Sequence, residues 1–435
     1  MPSSRLTRYI VIGLALGVLA GYVCYRYFPE SAAAFAEGSS LLPTAFLRLI
    51  KMIIAPLVFS TLVVGIAKMG DIATVGRVGG KALGWFIFAS LISLTLGLIL
   101  VQLFEPGRAM QLPIPEESAS AGVSAEGLSL AAFITHTIPT SVIDAMARNE
   151  ILQIVVFSLF FGTAMASLGE RSRLVIDVLD AVSHIMLKVT GYVMLFAPLA
   201  VFGALASTVA EQGLEIIGVY GLFVGEFYLG LVILWVVLAA LGSVVIGRRM
   251  LRLTQRIREP VILAFSTASS EAAYPKTLEE LERFGCSNRV ASFVLPVGYS
   301  FNLDGSMMYC TFAVMFIAQV YGIELSLGEQ FVMVAILMLT SKGIAGVPRA
   351  SLVVIAATLA QFNIPEAGLL LLLGVDHFLD MGRSATNVIG NSIATAVVSK
   401  WEGELKSEEE AAAEEAAPPP AATLRVSGQA AGGRG

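Results

Sequence analysis

The chain has 435 residues and a formal net charge of −5, with 56% hydrophobic and 14% charged residues. Its mean hydropathy is +0.79. A soluble domain carries about a quarter charged residues, so this composition excludes an ordinary soluble protein and predicts that most of the chain lies in lipid. Much of the acid belongs to a Glu-rich tail after Trp401, and no basic surface for nucleic acid is visible. The three cysteines are scattered, so neither a disulfide framework nor a transition-metal site is expected.

Six long apolar segments make up the first half of the chain. A membrane-spanning helix needs about 20 apolar residues. Arg5 and Arg8 precede the first segment, which has no convincing signal-peptide cleavage site, so we interpret it as a spanning helix with a cytoplasmic N-terminus. The six predicted spans are residues 9–28, 42–68, 80–104, 129–168 (interrupted near Pro139), 176–210 and 216–247.

Two segments are too polar to cross a membrane. Residues 105–128 are rich in Pro, Gly, Ser and Glu, which predicts a loop between the third and fourth spans. Residues 402–435 are acidic and then rich in Pro, Gly and Ala, which predicts a disordered tail.

The second half contains two short, interrupted apolar segments. One has a polar tip at residues 266–271, and the other, at 331–360, has two apolar arms around TSKGIAGVPRAS. Such arms cannot cross about 30 Å of hydrocarbon, so both are predicted to be re-entrant helical hairpins. Long spans, 291–320 and 365–400, follow the hairpins, which predicts an inverted repeat. A matching pair of interrupted segments is typical of the substrate site of a transporter.

The strongest functional signal lies in the last predicted span. Its polar residues are three or four positions apart and therefore share one helical face: Asp376, Asp380, Arg383, Asn387 and Asn391. Charged residues inside a membrane are costly and usually mark a substrate or ion path. The alternative is an ion pair between Asp380 and Arg383 that only locks the helix bundle.

A second signal interrupts the span at 291–320. Asn302, Asp304 and Gly305 suggest an unwound turn that offers oxygens to a hard cation, although a polar kink filled by water is the alternative. The serines of the first hairpin tip offer hydroxyl and N–H groups to a carboxylate. Together these features favour a closed site for a small anion over a channel. An intramembrane hydrolase is disfavoured because no base lies at an obvious spacing from a nucleophilic serine.

Five segments carry a resemblance to a known family: RLIKMIIAPLVFSTLVVGIAKMGD at 48–71, TASSEAAYP at 267–275, NLDGS at 302–306, GIAGVPRAS at 343–351 and LDMGRSATNVIGN at 379–391. Over about residues 5–402 the chain resembles the dicarboxylate/amino acid:cation symporters, the relatives of the neuronal excitatory amino acid transporters. The resemblance implies an all-α polytopic carrier without a cofactor, not an enzyme, with eight transmembrane helices and two hairpins. It further implies a homotrimer in a bacterial inner membrane with both termini in the cytoplasm.

The resemblance also implies an elevator-type organisation. Residues 1–257 would hold six helices, of which spans 1, 2, 4 and 5 form a scaffold and spans 3 and 6 join a mobile transport domain. Residues 258–401 would form the transport core, with hairpin 1, helix 7, hairpin 2 and helix 8. The second hairpin would be the external gate, and the disordered tail would follow from residue 402.

Specific roles follow from the resemblance. It assigns Arg383 to a substrate carboxylate, a planar task suited to guanidinium, and Asp380 to a substrate ammonium group. The remaining substrate-binding positions are Ser269, Ser270, Ser306, Gly346, Val347, Ser351, Ser384 and Asn387. The cation-binding positions are Gly298, Ser300, Asn302, Asp304, Asp376, Asn387 and Asn391. Phe86 and Ala89 stand where some sodium-coupled relatives have Tyr and Thr.

These assignments lead to an expected substrate and coupling ion. Asp380 favours aspartate or glutamate, because the plain C4-dicarboxylate branch generally lacks an acid there, and succinate, fumarate or malate is the alternative. Asn391 replaces a carboxylate of the family and weakens one sodium site. A membrane carboxylate without a cation tends to hold a proton, which favours H⁺ over Na⁺. The alternative is that Asn391 ligates sodium through its amide oxygen. The candidate proton carriers are Glu271, Asp304 and Asp376.

Overall fold

Apolar helices fill the first half of the chain. The computed structural model describes residues 3–69, 72–109, 134–135, 137–213, 215–341 and 350–411. The helices of the first half are α1 (Ser3–Tyr27), α2 (Pro29–Met69), α3 (Ile72–Phe104), α4 (Pro106–Ala109), α5 (Val142–Arg148), α6 (Ile151–Leu168), α7 (Arg173–Val193), α8 (Ala197–Gln212) and α9 (Glu215–Ile246).

Several helix boundaries differ from the predicted spans. Helix α2 begins at Pro29, well before the predicted start at residue 42, because the stretch ESAAAFAE is made of good helix formers. The predicted span 129–168 is divided in its described part by Asn149, which adopts a left-handed conformation between α5 and α6. A 3₁₀ turn, Met194–Phe196, separates α7 from α8 within the predicted span 176–210.

The second half consists of shorter helices. They are α10 (Arg249–Thr267), α11 (Ser270–Phe284), α12 (Asn288–Phe301), α13 (Asp304–Val320), α14 (Leu327–Thr340), α15 (Ala350–Gln361), α16 (Leu370–Leu373) and α17 (Asp376–Trp401). Helices α10 and α11 pack against each other across a tight turn at Ala268, which has a φ of 48°. Ser269 starts α11 by accepting a hydrogen bond from the N–H of Ala272 at 3.3 Å. The tip between α14 and α15 lies outside the described residues.

Helix α17 is the centre of the second half. It packs against α3, α9, α10, α11, α12 and α13. Helix α2 packs mainly against α6, α7 and α8, and also against α12 and α1. In the described part of the chain six segments are long and apolar enough to cross a membrane: Arg8–Tyr27, Pro29–Ala67, Ala73–Ala109, Ile151–Gln212, Tyr220–Ile246 and Asn288–Val320. Helix α17 is not among them, because charged residues in its first turns are followed by polar residues such as Asn387 and Asn391. The fold is therefore that of a nearly all-helical polytopic membrane protein.

Residues 402–411, which we call the C-terminal strap, continue from α17 along the ends of other helices. The Glu402 side chain is 2% exposed and pairs with Lys81 at 2.6 Å and Arg77 at 3.1 Å. Burial raises the pKa of the Glu402 carboxyl, but the neighbouring Lys81 and Arg77 outweigh burial and lower it. Further along, Leu405 forms an antiparallel bridge with Cys286. The predicted disorder after residue 401 therefore does not apply to the strap, because its backbone and carboxylates have partners; residues 412–435 lie outside the described part.

Candidate substrate and cation site

The polar face predicted on α17 lies inside the protein. Asp376, Arg383, Asn387 and Asn391 are each at most 4% exposed. The Asp380 side chain is 33% exposed and lies at the edge of this buried group. Helix α17 can hold these residues away from lipid because neighbouring helices cover it on several sides.

Arg383 is the centre of a charged cluster at the start of α17. Its Nη2 donates to Asp376 Oδ1 at 3.1 Å and lies 3.0 Å from Asp380 Oδ1. The guanidinium carbon lies 4.1 Å above the centre of the Tyr309 ring, and the Tyr309 hydroxyl donates to Asp376 at 3.2 Å. Both acids therefore use the same nitrogen of Arg383, and the aromatic ring fixes the guanidinium plane.

The remaining nitrogens of this guanidinium are available for binding. Arg383 Nε and Nη1 are buried and have no hydrogen-bond partner among the described residues. A buried N–H group without a partner is costly, and a cationic one more so. A carboxylate oxygen is the acceptor that best satisfies such donors. The cluster can therefore bind one carboxylate of an anionic substrate without breaking its internal ion pairs.

A second cluster lies at the break between α12 and α13. Asn302 Nδ2 lies 3.1 Å from Asp304 Oδ2 and 3.3 Å from Asn391 Oδ1. From α3, the Ser93 hydroxyl donates to Asp304 Oδ1 at 3.2 Å. Asn302 Oδ1 is buried and has no partner among the described residues. The cluster thus groups carboxylate, amide and hydroxyl oxygens, the ligand set that sodium and other hard cations prefer.

Close backbone approach makes this second cluster possible. A Cβ atom on Gly390 would overlap Asp304 Oδ2. Asp304 is fully buried, so the carboxylate reaches α17 only because residue 390 has no side chain. The predicted ligand Gly298 has a different contact, since its carbonyl accepts the N–H of Asn302 at 2.7 Å.

Asn387 connects the two clusters. Its Oδ1 accepts the N–H of Gly305 at 2.9 Å, and its Nδ2 donates to the Ser306 hydroxyl at 3.3 Å. Gly305 and Ser306 belong to the first turn of α13, which begins with Asp304. The structure therefore brings Ser306 and Asn387 together, as the resemblance implies.

The first hairpin tip lies beside α17. Ala268 packs with Phe378 and Met381 in one apolar cluster, which places the neighbouring Ser269 and Ser270 near the start of α17. The Ser269 hydroxyl is used as the cap of α11. Other predicted residues that are buried are Ser300, Ser351 and Ser384, and Glu271 is partly buried. Gly346 and Val347 lie outside the described residues.

Two site residues were missed by the sequence analysis. Ser93 contacts Asp304 from α3, and Tyr309 stacks on Arg383 from α13. Ser93 lies one helical turn after Ser90 in an apolar span, so two serines on one face of α3 were the available signal. Tyr309 lies one helical turn after Ser306, so an aromatic residue on the same face of α13 was the available signal.

A buried arginine with spare donors, beside a cluster of cation-type ligands in a polytopic helical fold, defines a membrane carrier for a small anion. The model of the sodium:dicarboxylate symporter family matches residues 6–401. The chain therefore belongs to this family, which confirms the resemblance.

Several relatives are similar over nearly their whole length. A C4-dicarboxylate transport protein of Bacillus subtilis (strain 168) is 38% identical over 406 residues, covering 92% of this chain and 94% of the relative. Proteins of the same name from Geobacter sp. (strain M21) and Cupriavidus necator are 40% and 41% identical, each over 403 residues. They cover 91% of this chain in both cases, and 90% and 91% of the relatives.

The relatives overturn the predicted acidic amino acid substrate. They are named for C4-dicarboxylates, which the sequence analysis gave as the alternative. The prediction rested on Asp380 as the partner of a substrate ammonium group. In the structure Asp380 Oδ1 lies 3.0 Å from Arg383 Nη2, so this acid already has a cationic partner within the protein and does not require one from the substrate.

Proposed function

We propose that the chain is a secondary active symporter that moves C4-dicarboxylates such as succinate, fumarate or malate together with a cation. The observation that carries the proposal is the buried Arg383 guanidinium, whose Nε and Nη1 have no partner among the described residues. The names of relatives at 38–41% identity support the substrate class. The family description supports coupling to a cation.

The two carboxylates of the substrate need two anion-binding groups. One carboxylate would lie on Arg383, with Asn387 and Ser306 beside it. The other would be held by the serine tip at 269–270 and the segment 346–351, which the resemblance assigns to a carboxylate. Ala268 of the first tip packs beside α17, and this position supports the arrangement. Ser351 and Ser384 complete the proposed substrate set.

The coupling cation would occupy the second cluster. Asn302, Asp304 and Asn391 supply oxygens suited to Na⁺, with Ser300 and the Gly298 carbonyl as further candidates. A proton is the other candidate, since Asp304, Asp376 or Glu271 could carry it. The proximity of Asp304 to Asn302 and Asn391 supports the location but is compatible with either ion.

The proposed transport mechanism is an elevator with eight transmembrane helices and two hairpins, in a homotrimer. The grouping of α3 and α9 with α17, and of α2 with α1 and α6–α8, supports a division into transport domain and scaffold. Basic residues cluster at the end of the molecule that holds the strap, including Arg249, which donates to the backbone carbonyl of Lys406, and Arg289, which pairs with Glu404. By the positive-inside rule this end would be cytoplasmic, which puts both termini there in a bacterial inner membrane.

Counterflow in proteoliposomes tests the substrate class. Vesicles loaded with unlabelled succinate, fumarate or malate should accumulate labelled succinate, while vesicles loaded with aspartate or glutamate should not. Accumulation driven only by the amino acids would contradict the proposal. Net uptake is then measured with a sodium gradient at uniform pH and with a pH gradient in sodium-free buffer. Uptake under neither gradient would exclude symport with either ion.

A further inference from the structure

An open groove lies between the first half of α3 and the end of α17, about 15 Å along α17 from Asn391. Its volume is about 380 Å³, and its lining residues are Lys81, Gly84, Trp85, Phe88 and Trp401. We call it the α3–α17 groove. No step of the proposed transport cycle uses it.

One end of the groove is basic. The Arg77 side chain, one turn before Lys81, is 54% exposed, and that of Lys81 is 34% exposed. Lys400 is exposed on the adjoining turn of α17. Glu402 pairs with two of these cations, Arg77 and Lys81. Together with the exposed Lys400, the three cations outnumber this one carboxylate and leave a positive charge at this end.

Two tryptophans form the wall next to the basic end. The Trp85 and Trp401 rings meet edge to face with centroids 5.9 Å apart. Trp85 is 6% exposed, and its Nε1 has no hydrogen-bond partner among the described residues. Indole rings with one polar edge are typical of the boundary between headgroups and hydrocarbon.

The other end of the groove is apolar and open. A Cβ atom on Gly84 would meet nothing within 4 Å, and Phe88 is 47% exposed. Since an α-helix rises about 1.5 Å per residue, the distance along α3 from Arg77 to Phe88 is about 16 Å. Along this distance the groove presents cations, then indole rings, then open apolar surface. This order matches the headgroup and the first part of an acyl chain of a phospholipid.

We propose that the α3–α17 groove binds one anionic phospholipid of the surrounding bilayer. Lys81 contacts its phosphate, and Gly84 and Phe88 receive an acyl chain. Basic pockets between transmembrane helices are suited to acidic headgroups, and the charge of this end selects them over zwitterionic ones. The lipid site does not depend on the proposed substrate, so the two proposals are tested independently.

Tryptophan quenching by brominated lipids tests the site. The full chain is reconstituted in phosphatidylcholine vesicles that contain an equal mole fraction of brominated phosphatidylglycerol or brominated phosphatidylcholine. Brominated phosphatidylglycerol should quench at least threefold more strongly at low mole fraction. The double change Trp85→Phe and Trp401→Phe should remove much of this difference, because both of these rings line the groove.

Two further variants separate charge from space. Lys81→Gln removes the cation, and Gly84→Leu fills the apolar end while leaving all charges in place. Both should reduce the preference for phosphatidylglycerol at least threefold. The matched controls Lys188→Gln and Gly225→Leu, on exposed or open parts of α7 and α9, should leave it unchanged. Equal quenching of the native chain by both lipids, or a preference that survives both Lys81→Gln and Gly84→Leu, would overturn the proposal. Quenching by neither lipid would indicate that protein covers the groove and would overturn it too.

Discussion

Replacing Arg383 with lysine separates the two roles of this residue. The guanidinium neutralises Asp376 and Asp380. In the proposed function its Nε and Nη1, which have no partner among the described residues, bind a substrate carboxylate. Lysine keeps the positive charge, so both acids retain a cationic partner and the fold should survive. Alanine would leave the acids unpaired, and breaking a buried pair in this way costs about 3–5 kcal/mol of stability. Arg383→Lys is therefore the more informative change.

The expected loss of affinity follows from the number of donors. An ammonium group has three N–H donors, and the two acids near Arg383 require two of them. In the lysine variant one N–H donor then remains for the substrate. In the native protein two nitrogens of Arg383, Nε and Nη1, are free. The loss is thus about one hydrogen bond to a charged group, worth about 1.5–3 kcal/mol. At a factor of ten for about 1.4 kcal/mol, the Kd for succinate should rise by about 10- to 150-fold.

The affinity is measured by calorimetric titration of succinate into purified protein, with the melting temperature as a check on folding. Arg289→Lys is the matched control, because this arginine pairs with Glu404 at the strap and lies outside the proposed site. Its Kd should stay within twofold of the native value. If Arg383→Lys also binds succinate within threefold of the native Kd, and melts normally, the spare N–H groups do not bind the substrate and the reasoning fails.

Three further changes test the rest of the site. Asp304→Asn keeps the size of the side chain but removes its charge. The stimulation of uptake by the driving gradient should therefore fall at least tenfold, while counterflow persists. Full stimulation of the variant would place the cation elsewhere. Asp380→Asn removes a partly exposed negative charge beside the bound dianion, and a gain of about 1 kcal/mol should lower the Kd for succinate about fivefold; a weaker Kd would show that this acid holds the substrate. Gly390→Ala places a methyl group against Asp304, so unfolding free energy should fall by about 1–3 kcal/mol, whereas Gly225→Ala, which has open space, should not destabilise the protein.

The sequence was sufficient to predict that the fold is helical, but not to predict where each helix begins and ends. Apolar length predicts the position of most long helices, because hydrocarbon demands an intact backbone hydrogen-bond ladder. It fails at Pro29, where α2 starts early in an Ala-rich stretch that has no apolar signal. It also fails at the strap, whose order comes from ion pairs such as Glu402 with Lys81. Such pairs join residues hundreds of positions apart, and local composition contains no information about them.

The site was predictable where it lies on one helix. The spacing of Asp376, Arg383 and Asn391 predicts a shared face, and the structure buries all three. Contacts from other helices were not predictable in this way. Ser93 and Tyr309 are ordinary residues of apolar helices, and only packing against α17 and the α12–α13 break gives them a role.

The substrate prediction was wrong for a related reason. An aspartate in a membrane site requires a positive partner, and from its identity alone that partner could be in the protein or in the substrate. From the sequence, the ion pair between Asp380 and Arg383 is predicted only as a contact that locks the helix bundle. In the structure this pair uses only Nη2 of Arg383, and Nε and Nη1 have no partner among the described residues. One arginine can therefore neutralise the acid and still bind a carboxylate.

The position of Asn387 suggests how substrate and cation are coupled. Asn387 holds the first N–H groups of α13, and the same turn carries Asp304 of the cation cluster. A Cβ atom on Gly305 would overlap the backbone of Arg383, so this turn and the proposed substrate-binding part of α17 are in direct contact. A cation that draws Asp304, Asn302 and Asn391 together would move the first turn of α13. The N–H groups of the same turn orient Asn387. Because packed interiors deform little, such a change would be transmitted to the Arg383 side rather than absorbed. Coupling would then require no long path, since the two clusters share one turn of α13 and one face of α17.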